Sequence, residues 1–198
     1  GLAILGNSRV DAIYNNSFNR NSLGMQIANS SSAESITGST FDSNQSGGIL
    51  VREGSALPDF SDNSVRNNRG QASLAFDDST GTVNGCEITS LDGTGVSLFT
   101  ASDVTISNST IANARLEGAA VYDGSRLALQ SVDVIDNGDS GVLAAGADTV
   151  VTLEGSSVTG NAGYGLNAQN GGTISCNGTN DVSANARGNT LGNVTGCN

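Results

Sequence analysis

Residues 95–113 read GVSLFTASDVTISNSTIAN, and residues 118–137 read GAAVYDGSRLALQSVDVIDN. Both stretches begin with a glycine, continue with an alternating pair of apolar residues, and carry a second alternating pair further on. A third apolar position follows near the end, at Ile111 and at Val134. Alternation with a period of two is typical of a β-strand with one buried face. Each stretch therefore predicts three short strands joined by turns.

The same unit repeats along the whole chain. A glycine heads each unit, at intervals of 22 to 25 residues. These glycines are Gly1, Gly24, Gly48, Gly70, Gly95, Gly118, Gly141, Gly165 and Gly188. Stacked units bury their apolar rows against one another, with parallel strands paired between coils. We predict an all-β solenoid of about eight coils of roughly 23 residues, and one domain over residues 1–198 that is the C-terminal part of a longer chain.

The position three residues after the third apolar residue of each unit is usually asparagine. In the eight units it is occupied by Asn21, Asn44, Asn68, Leu91, Ala114, Asn137, Asn161 and Asn185. Asparagine tolerates left-handed backbone geometry and is simply a common turn residue. Asparagine amides stacked in register also bond to one another, as in cross-β ladders. The fixed offset favours a ladder of the six asparagines, interrupted at Leu91 and Ala114.

The unit G-V-x-V-x-x-G-S-x-V-x-I-x-x-S-x-V-x-x-N resembles the right-handed parallel β-helix repeats of the pectate-lyase-like superfamily. The resemblance covers nearly the whole chain and implies a right-handed solenoid. It does not define a function, because this fold serves lyases, hydrolases, epimerases, phage tailspikes and adhesins.

The resemblance also implies which catalytic residues to look for. Hydrolases of this fold share paired aspartates with Gly-His-Gly and Arg-Ile-Lys motifs, and the lyases use an Arg or Lys base beside carboxylate-bound calcium. Asp77-Asp78 is the only acidic pair, and the chain contains no histidine and no lysine. No three carboxylates recur at matching offsets. We therefore predict no catalytic residue, no metal site and no cofactor, and interpret Asp77-Asp78 as a solvated turn.

The three cysteines fall into two groups. Cys86 lies just before Ile88 and is predicted to be a small buried side chain in its apolar row. Cys176 and Cys197 occupy nearly equivalent offsets in adjacent units, so we predict a disulfide that fixes the last partial coil. A disulfide there indicates an oxidising compartment.

Two pairs of opposite charge are spaced by about one unit. Asp103 precedes Arg126 by 23 residues, and Asp42 precedes Arg66 by 24. Residues one unit apart stack on neighbouring coils, where opposite charges attract weakly. The spacing predicts two ion pairs between coils.

The outward residues of the first strand form two rows of low charge. We number the positions, or offsets, of each unit from its head glycine as one. Side chains at offsets two and four face the core, so those at offsets three and five face outward. Offset three comprises Ala3, Gln26, Leu50, Ala72, Ser97, Ala120, Leu143 and Asn167, and offset five comprises Leu5, Ala28, Arg52, Leu74, Phe99, Tyr122, Ala145 and Gln169. Exposed apolar strips mark contact sites. We predict that Leu50, Phe99, Tyr122 and Leu143 bind a partner protein or a flanking domain, with polysaccharide second; the alternative is that the rings fold under a turn.

The net charge of −11 limits the partners further. A nucleic acid needs a basic surface, and anionic membranes repel an acidic one. No apolar run is long enough for a membrane helix, so we predict no membrane insertion. These features favour a non-catalytic structural or binding solenoid, adhesin-like or scaffold, of an extracellular or cell-surface bacterial protein. The alternative is a segment of a polysaccharide-active lyase or hydrolase whose catalytic coils lie elsewhere.

Overall fold

The computed structural model describes residues 1–197, and all regular structure in that range is β-strand. In chain order the strands are β1 (Leu2–Ile4), β2 (Arg9–Val10), β3 (Ile13–Tyr14), β4 (Met25–Ile27), β5 (Ser32–Ala33), β6 (Ile36–Thr37), β7 (Thr40–Asp42), β8 (Ile49–Arg52), β9 (Ala56–Ser61), β10 (Ser64–Asn68), β11 (Ala72–Asp77), β12 (Thr80–Asn84), β13 (Glu87–Ser90), β14 (Thr94–Phe99), β15 (Asp103–Ser107), β16 (Thr110–Ala112), β17 (Ala119–Tyr122), β18 (Arg126–Gln130), β19 (Asp133–Ile135), β20 (Val142–Ala145), β21 (Val150–Glu154), β22 (Ser157–Thr159), β23 (Tyr164–Gln169), β24 (Thr173–Asn177), β25 (Asp181–Ser183), β26 (Gly188–Leu191) and β27 (Val194–Thr195).

Three parallel sheets run along the solenoid. The first sheet has nine strands, in the order β1-β4-β8-β11-β14-β17-β20-β23-β26. The second has eleven, β2-β5-β9-β12-β15-β18-β21-β24-β27 with β3 and β6 off this path, and the third has seven, β7-β10-β13-β16-β19-β22-β25. Partners in a sheet are one coil apart, because a parallel pair needs a long crossover and the rest of the coil supplies it. The prediction of an all-β solenoid of about eight coils of about 23 residues is confirmed.

The inward apolar residues form one continuous core between the three sheets. Most of it is aliphatic, and three phenylalanines, Phe41, Phe60 and Phe76, are completely buried. The rings of Phe18 and Phe41 stack with centroids 5.0 Å apart, which follows from their equivalent positions in adjacent coils. Each coil covers the apolar rows of the next, so stability is close to a sum of nearest-neighbour terms.

The sequence-based register is wrong in the fourth coil. Leu74 pairs with Ile49 of the preceding coil and with Val96 of the following one, which makes Ser73 the head residue. Gly70 lies in the loop before β11 with a φ of 93°. Gly70 stands three residues before Ser73, within this loop, and its place near the expected interval displaced the predicted head. The outward rows therefore contain Ala75 and Asp77 in place of Ala72 and Leu74, and Leu74 is fully buried.

The last head residue also differs from the prediction. Leu166 pairs with Thr190, so Asn189 and not Gly188 stands at the head of the final coil. Gly188 instead pairs with Tyr164, with a φ of 129°. In both coils a glycine near the expected interval was therefore wrongly assigned as the head residue.

The asparagine ladder is present in two runs. The backbone N–H and the Nδ2 of Asn44 both donate to Oδ1 of Asn68, at 2.9 Å each. Asn161 donates to Oδ1 of Asn185 in the same way, at 3.1 and 2.9 Å. One run contains Asn21, Asn44 and Asn68, and the other contains Asn137, Asn161 and Asn185. Stacking of the asparagine side chains, as predicted, is confirmed.

Two details of the ladder correct the sequence analysis. The left-handed residue is the one before the ladder position, as at Asn67 and Asp136, and the ladder asparagine itself has ordinary backbone geometry. The fourth-coil ladder position is the buried Ser90, which pairs with Asn68, because a bulge in the β10–β13 pairing shifts the register by one residue. Leu91 is 47% exposed and lies outside the ladder.

Two further polar ladders, which were not predicted from the sequence, run along the other two corners of the coil. In one, the backbone N–H of each residue donates to the hydroxyl of the next, through Ser8, Ser31, Ser55, Ser79, Ser102 and Ser125. In the other, Ser39 donates to Asn63, Asn63 to the sulfur of Cys86, and Cys86 to Ser109. Cys86 is buried as predicted, but in this polar row and not in an apolar one.

Candidate functional site

A groove on the outer face of the first sheet lies where β8, β11 and β14 pair. We call it the β11 groove. Its lining comprises Leu23, Ser46, Gly47, Ile49, Leu50, Gln71, Ala72, Ala75, Asp77, Phe99, Thr100 and Asp123. Its residues come from three consecutive strands of one sheet, from the loops before β4, β8 and β11, and from the turns that follow β14 and β17.

The floor of the groove follows from the register of the three strands. Ala75 pairs with Leu50 on one side and with Ser97 on the other. Because the side chains of Ala75 and Ser97 are small, they leave a depression in the outer face of the sheet beside Leu50. The loop before β11, which contains Gly70, supplies Gln71 at the side. This loop therefore contributes directly to the groove.

One end of the groove is formed by a pair of aromatic rings. Phe99 and Tyr122 stack with centroids 5.4 Å apart and an interplanar angle of 6°. The residue equivalent to Phe99 in the preceding coil is Asp77, so the ring face that Tyr122 does not cover is directed toward the groove. Both rings are partly exposed. Burial, and then the carboxylates of Glu117 and Asp123, raise the pKa of Tyr122.

The charged groups at the groove are carboxylates. Asp77 and Asp123 both line it, and neither forms an ion pair within residues 1–197. Arg52 is paired in register with Asp77, but its Nε lies 3.6 Å from Oε1 of Glu53. With the Gln26 amide turned so that its oxygen faces Arg52, that oxygen accepts two bonds from the guanidinium, at 3.0 and 3.1 Å. The guanidinium is thus held away from Asp77.

The acidic pair Asp77-Asp78 is divided between two elements. Asp77 ends β11, whereas Asp78 stands in the following turn with a φ of 50°. Over residues 1–197 no group of three or more Cys, Asp or Glu side chains is placed to hold a metal ion. The groove thus offers two carboxylates, a carboxamide and an aromatic face for binding.

The structure brings together only some of the predicted binding residues. Leu50 and Phe99 line the groove, and Tyr122 supports Phe99 from behind. Leu143 lies in the same outward row but is only 9% exposed and does not line the groove. Gln71 and Ala75 were not predicted as site residues, and Asp77 ends a strand where the sequence predicted a turn. The alternation Leu74-x-Phe76, matched to Ile49-x-Val51, would have placed Ala75 and Asp77 outward.

The C-terminal coil is tied to the stack by a disulfide between Cys176 and Cys197, with Cα atoms 5.0 Å apart. Cys176 lies on β24 in register with the buried Leu153. Cys86 is the free cysteine, and burial raises the pKa of its thiol to about 11. Its Sγ donates to the carbonyl of Phe60 at 3.3 Å.

The predicted ion pairs between coils do not form, although the backbone register is correct. Asp103 pairs with Arg126 and Asp42 pairs with Arg66 along the sheets, but neither pair brings its charged groups within 4.0 Å. Arg66 instead reaches Glu87 of the next coil, with Nη1 and Oε2 3.4 Å apart. The long arginine side chain leans along the solenoid axis, so its contact lies one coil further on.

Comparison with solved structures supports the fold. The periplasmic alginate epimerase AlgG aligns with a TM-score of 0.65 and 15% identity, over 86% of this chain and 49% of that chain. The chain thus spans about half the length of that relative. The A-module of the mannuronan C-5 epimerase AlgE6 from Azotobacter vinelandii is 12% identical over 94% of this chain and 78% of that chain, with a TM-score of only 0.27. At these identities the likeness to AlgG concerns the fold alone.

Sequence comparison gives the family. No curated protein matches the chain. Within residues 1–197 the structure contains no helix long and apolar enough to cross a membrane. Residues 1–158 and residues 54–198 each match the family described as right handed beta helix region. The two matches together cover the chain from end to end, and the chain therefore belongs to the right-handed β-helix family.

Proposed function

We propose that this chain is a non-catalytic binding solenoid, in which the stacked coils present the β11 groove to a protein partner. The observation that carries the proposal is the free face of Phe99 beside the apolar floor of Leu50 and Ala75. Exposed apolar surface on a polar, acidic solenoid marks a contact site. The three polar ladders supply the rigid support that a preformed site needs.

The groups around the groove support binding more than turnover. General acid–base chemistry needs a group whose pKa lies near the working pH and whose geometry reaches the reacting atoms. The chain has no histidine and no lysine, and Asp77 and Asp78 belong to different elements. The groove therefore carries recognition groups, namely a ring face, two carboxylates and the amide of Gln71.

A second candidate is a segment of a polysaccharide-active enzyme. The observation that favours it is the likeness in fold to an alginate epimerase twice as long as the aligned region. A partly exposed ring also suits the apolar face of a pyranose. In that case the groove would continue the binding surface of catalytic coils outside this segment.

An extracellular or cell-surface location, in a bacterium, is part of the proposal. The disulfide between Cys176 and Cys197 supports it, because disulfides persist in oxidising compartments. The acidic net charge of −11 suits a soluble scaffold that does not adhere to nucleic acids or anionic membranes.

The test combines a turnover assay with binding arrays. The chain is incubated with pectate and with alginate, with and without calcium, and both unsaturated products and epimerised residues are measured. The labelled chain and the double variant Phe99→Ser/Tyr122→Ser are then applied to peptide and oligosaccharide arrays. We expect no turnover above a boiled control, and peptide signals that the double variant loses. Turnover, or array signals that the double variant keeps, would contradict the proposal.

A further inference from the structure

We infer that the β11 groove recognises a cationic side chain, arginine or lysine, on an extended segment of the partner protein. The inference rests on the proposed function, that the groove binds a protein, and adds the chemistry of the partner. It is carried by an apolar channel that ends on an aromatic face and is flanked by two carboxylates.

The shape of the groove matches the two parts of such a side chain. Lysine and arginine bury an aliphatic stem on apolar surface and keep the charged head at its edge. Leu50 and Ala75 offer the apolar floor for the stem. At the end of this floor lies the open face of Phe99, which Tyr122 backs with a parallel ring 5.4 Å away. Cations are attracted to aromatic faces, and arginine also stacks flat on them.

The charges at this end favour a cation over an anion. The carboxylates of Asp77 and Asp123 stand beside Phe99, and neither has an ion-pair partner in residues 1–197. The nearest cation in register, Arg52, is occupied by Glu53 and by the amide of Gln26. No arginine lines the groove. The net charge of −11 also draws a basic partner toward the solenoid before contact.

The two carboxylates also favour a basic peptide over a glycan as the ligand of the groove. An acidic polysaccharide would bring like charges against Asp77 and Asp123, which is unfavourable. A neutral glycan would gain from the ring face but would leave both carboxylates without a counterion. A basic peptide satisfies the ring face and the carboxylates together.

The experiment is a fluorescence titration of labelled hexa-arginine with the full chain at physiological salt. The groove variants are Asp77→Asn/Asp123→Asn and Phe99→Leu. The matched controls are Asp133→Asn/Asp181→Asn, two exposed aspartates of the third sheet, and Tyr14→Leu, an exposed ring far from the groove. Labelled cellohexaose is titrated in parallel as the neutral glycan.

We expect each groove variant to weaken hexa-arginine binding by about tenfold, and each control to change it by less than about twofold. Equal losses in groove and control aspartate variants would show binding through net charge alone and would overturn the inference. Cellohexaose binding that Phe99→Leu weakens, with hexa-arginine unaffected, would overturn the inference and favour the glycan reading of the groove. If neither probe responds to the groove variants, the inference fails, whereas the proposed function is decided separately by whether Phe99→Ser/Tyr122→Ser loses the peptide-array signals.

Discussion

The backbone of Gly141 lies directly against the side chain of Asn161. A Cβ atom on Gly141 would stand 2.7 Å from Nδ2 of Asn161 and 2.5 Å from Cγ1 of Val158. The same distance of 2.7 Å separates a Cβ on Gly118 from Nδ2 of Asn137. In these coils the glycine row and the asparagine ladder are coupled, because the absence of a side chain at the head residue leaves room for a buried amide.

The fourth coil shows the converse arrangement. Its ladder position is the shorter Ser90, and its head residue is Ser73 in place of glycine. The hydroxyl of Ser73 donates to the carbonyl of Thr89 at 2.6 Å. In the coil of Asn161 the corresponding carbonyl, that of Thr159, accepts a bond from Nδ2 of Asn161. A head serine thus replaces the donor that the missing amide would have supplied.

This relationship predicts coupling between Gly141 and Asn161. Gly141→Ser should lower the free energy of unfolding by about 1–3 kcal/mol, because the new side chain overpacks the buried amide. In the background of Asn161→Ser the same change should cost clearly less, as the fourth coil already combines two serines. Urea unfolding of both single variants and the double variant measures the coupling. Additive losses would contradict the pairing of the two rows.

The ladder itself predicts a position-specific loss at Asn161. Its Oδ1 accepts from the backbone N–H and Nδ2 of Asn137, and its Nδ2 donates to the carbonyl of Val134. Asn161→Ala leaves these buried groups without partners, so we expect a loss of about 2–4 kcal/mol in chemical unfolding. The exposed Asn177 is the control, and Asn177→Ala should change stability by less than about 0.5 kcal/mol. Similar effects at the two sites would argue against a structural ladder.

The buried thiol of Cys86 predicts a pH dependence. Its pKa is about 11 in the fold, against 9.0 without burial. Between these values the unfolded chain releases the proton while the folded chain keeps it, so the free energy of unfolding falls as the pH rises. Tyr122 shifts in the same direction, and the comparison with Cys86→Ser isolates the thiol. The variant should lose less stability between pH 8.5 and 10.5 than the parent protein; equal slopes would show that the thiol is not shielded.

The position of the rings at the surface predicts a small cost of removing them. Phe99→Ser/Tyr122→Ser should lower the free energy of unfolding by at most about 2 kcal/mol, since the pair contributes mainly its stacking. The control for a core residue is Phe76, which is completely buried in the coil that precedes Phe99. Phe76→Ala should lower the free energy of unfolding by about 3–5 kcal/mol. Thermal melts and urea titrations give both numbers. A loss at the rings as large as that at Phe76 would show that they are core residues and not a binding surface.

Much of the fold could be predicted because burial imposes a period of two on every strand and a period of one coil on the chain. Leu127 and Leu129, for example, fall in the same rows as Val104 and Ile106 by spacing alone. The predicted register was wrong in the fourth coil because Gly70, a loop residue with a φ of 93°, lies close to the interval expected for a head glycine. Register depends on which side chain enters the core, and there Leu74 and not the glycine decides it.

The candidate site was harder to predict for a related reason. Phe99 and Tyr122 stack as their spacing implies. The groove, however, depends on the course of the loop that carries Gln71 and on the identity of the residue one coil away from Phe99, which is Asp77. The serines of this ladder recur every 23 or 24 residues from Ser8 to Ser125, but serine is so common in turns that composition concealed their regular role.

The most direct test of a binding groove is to map where a basic peptide contacts the folded chain. Backbone amide spectra of the isotopically labelled protein are recorded during titration with hexa-arginine. We expect the shifts to be concentrated at residues that line the groove, namely Leu50, Gln71, Ala75, Asp77, Phe99, Thr100 and Asp123. Shifts spread over the acidic residues of the second and third sheets, with the groove residues unchanged, would contradict this expectation.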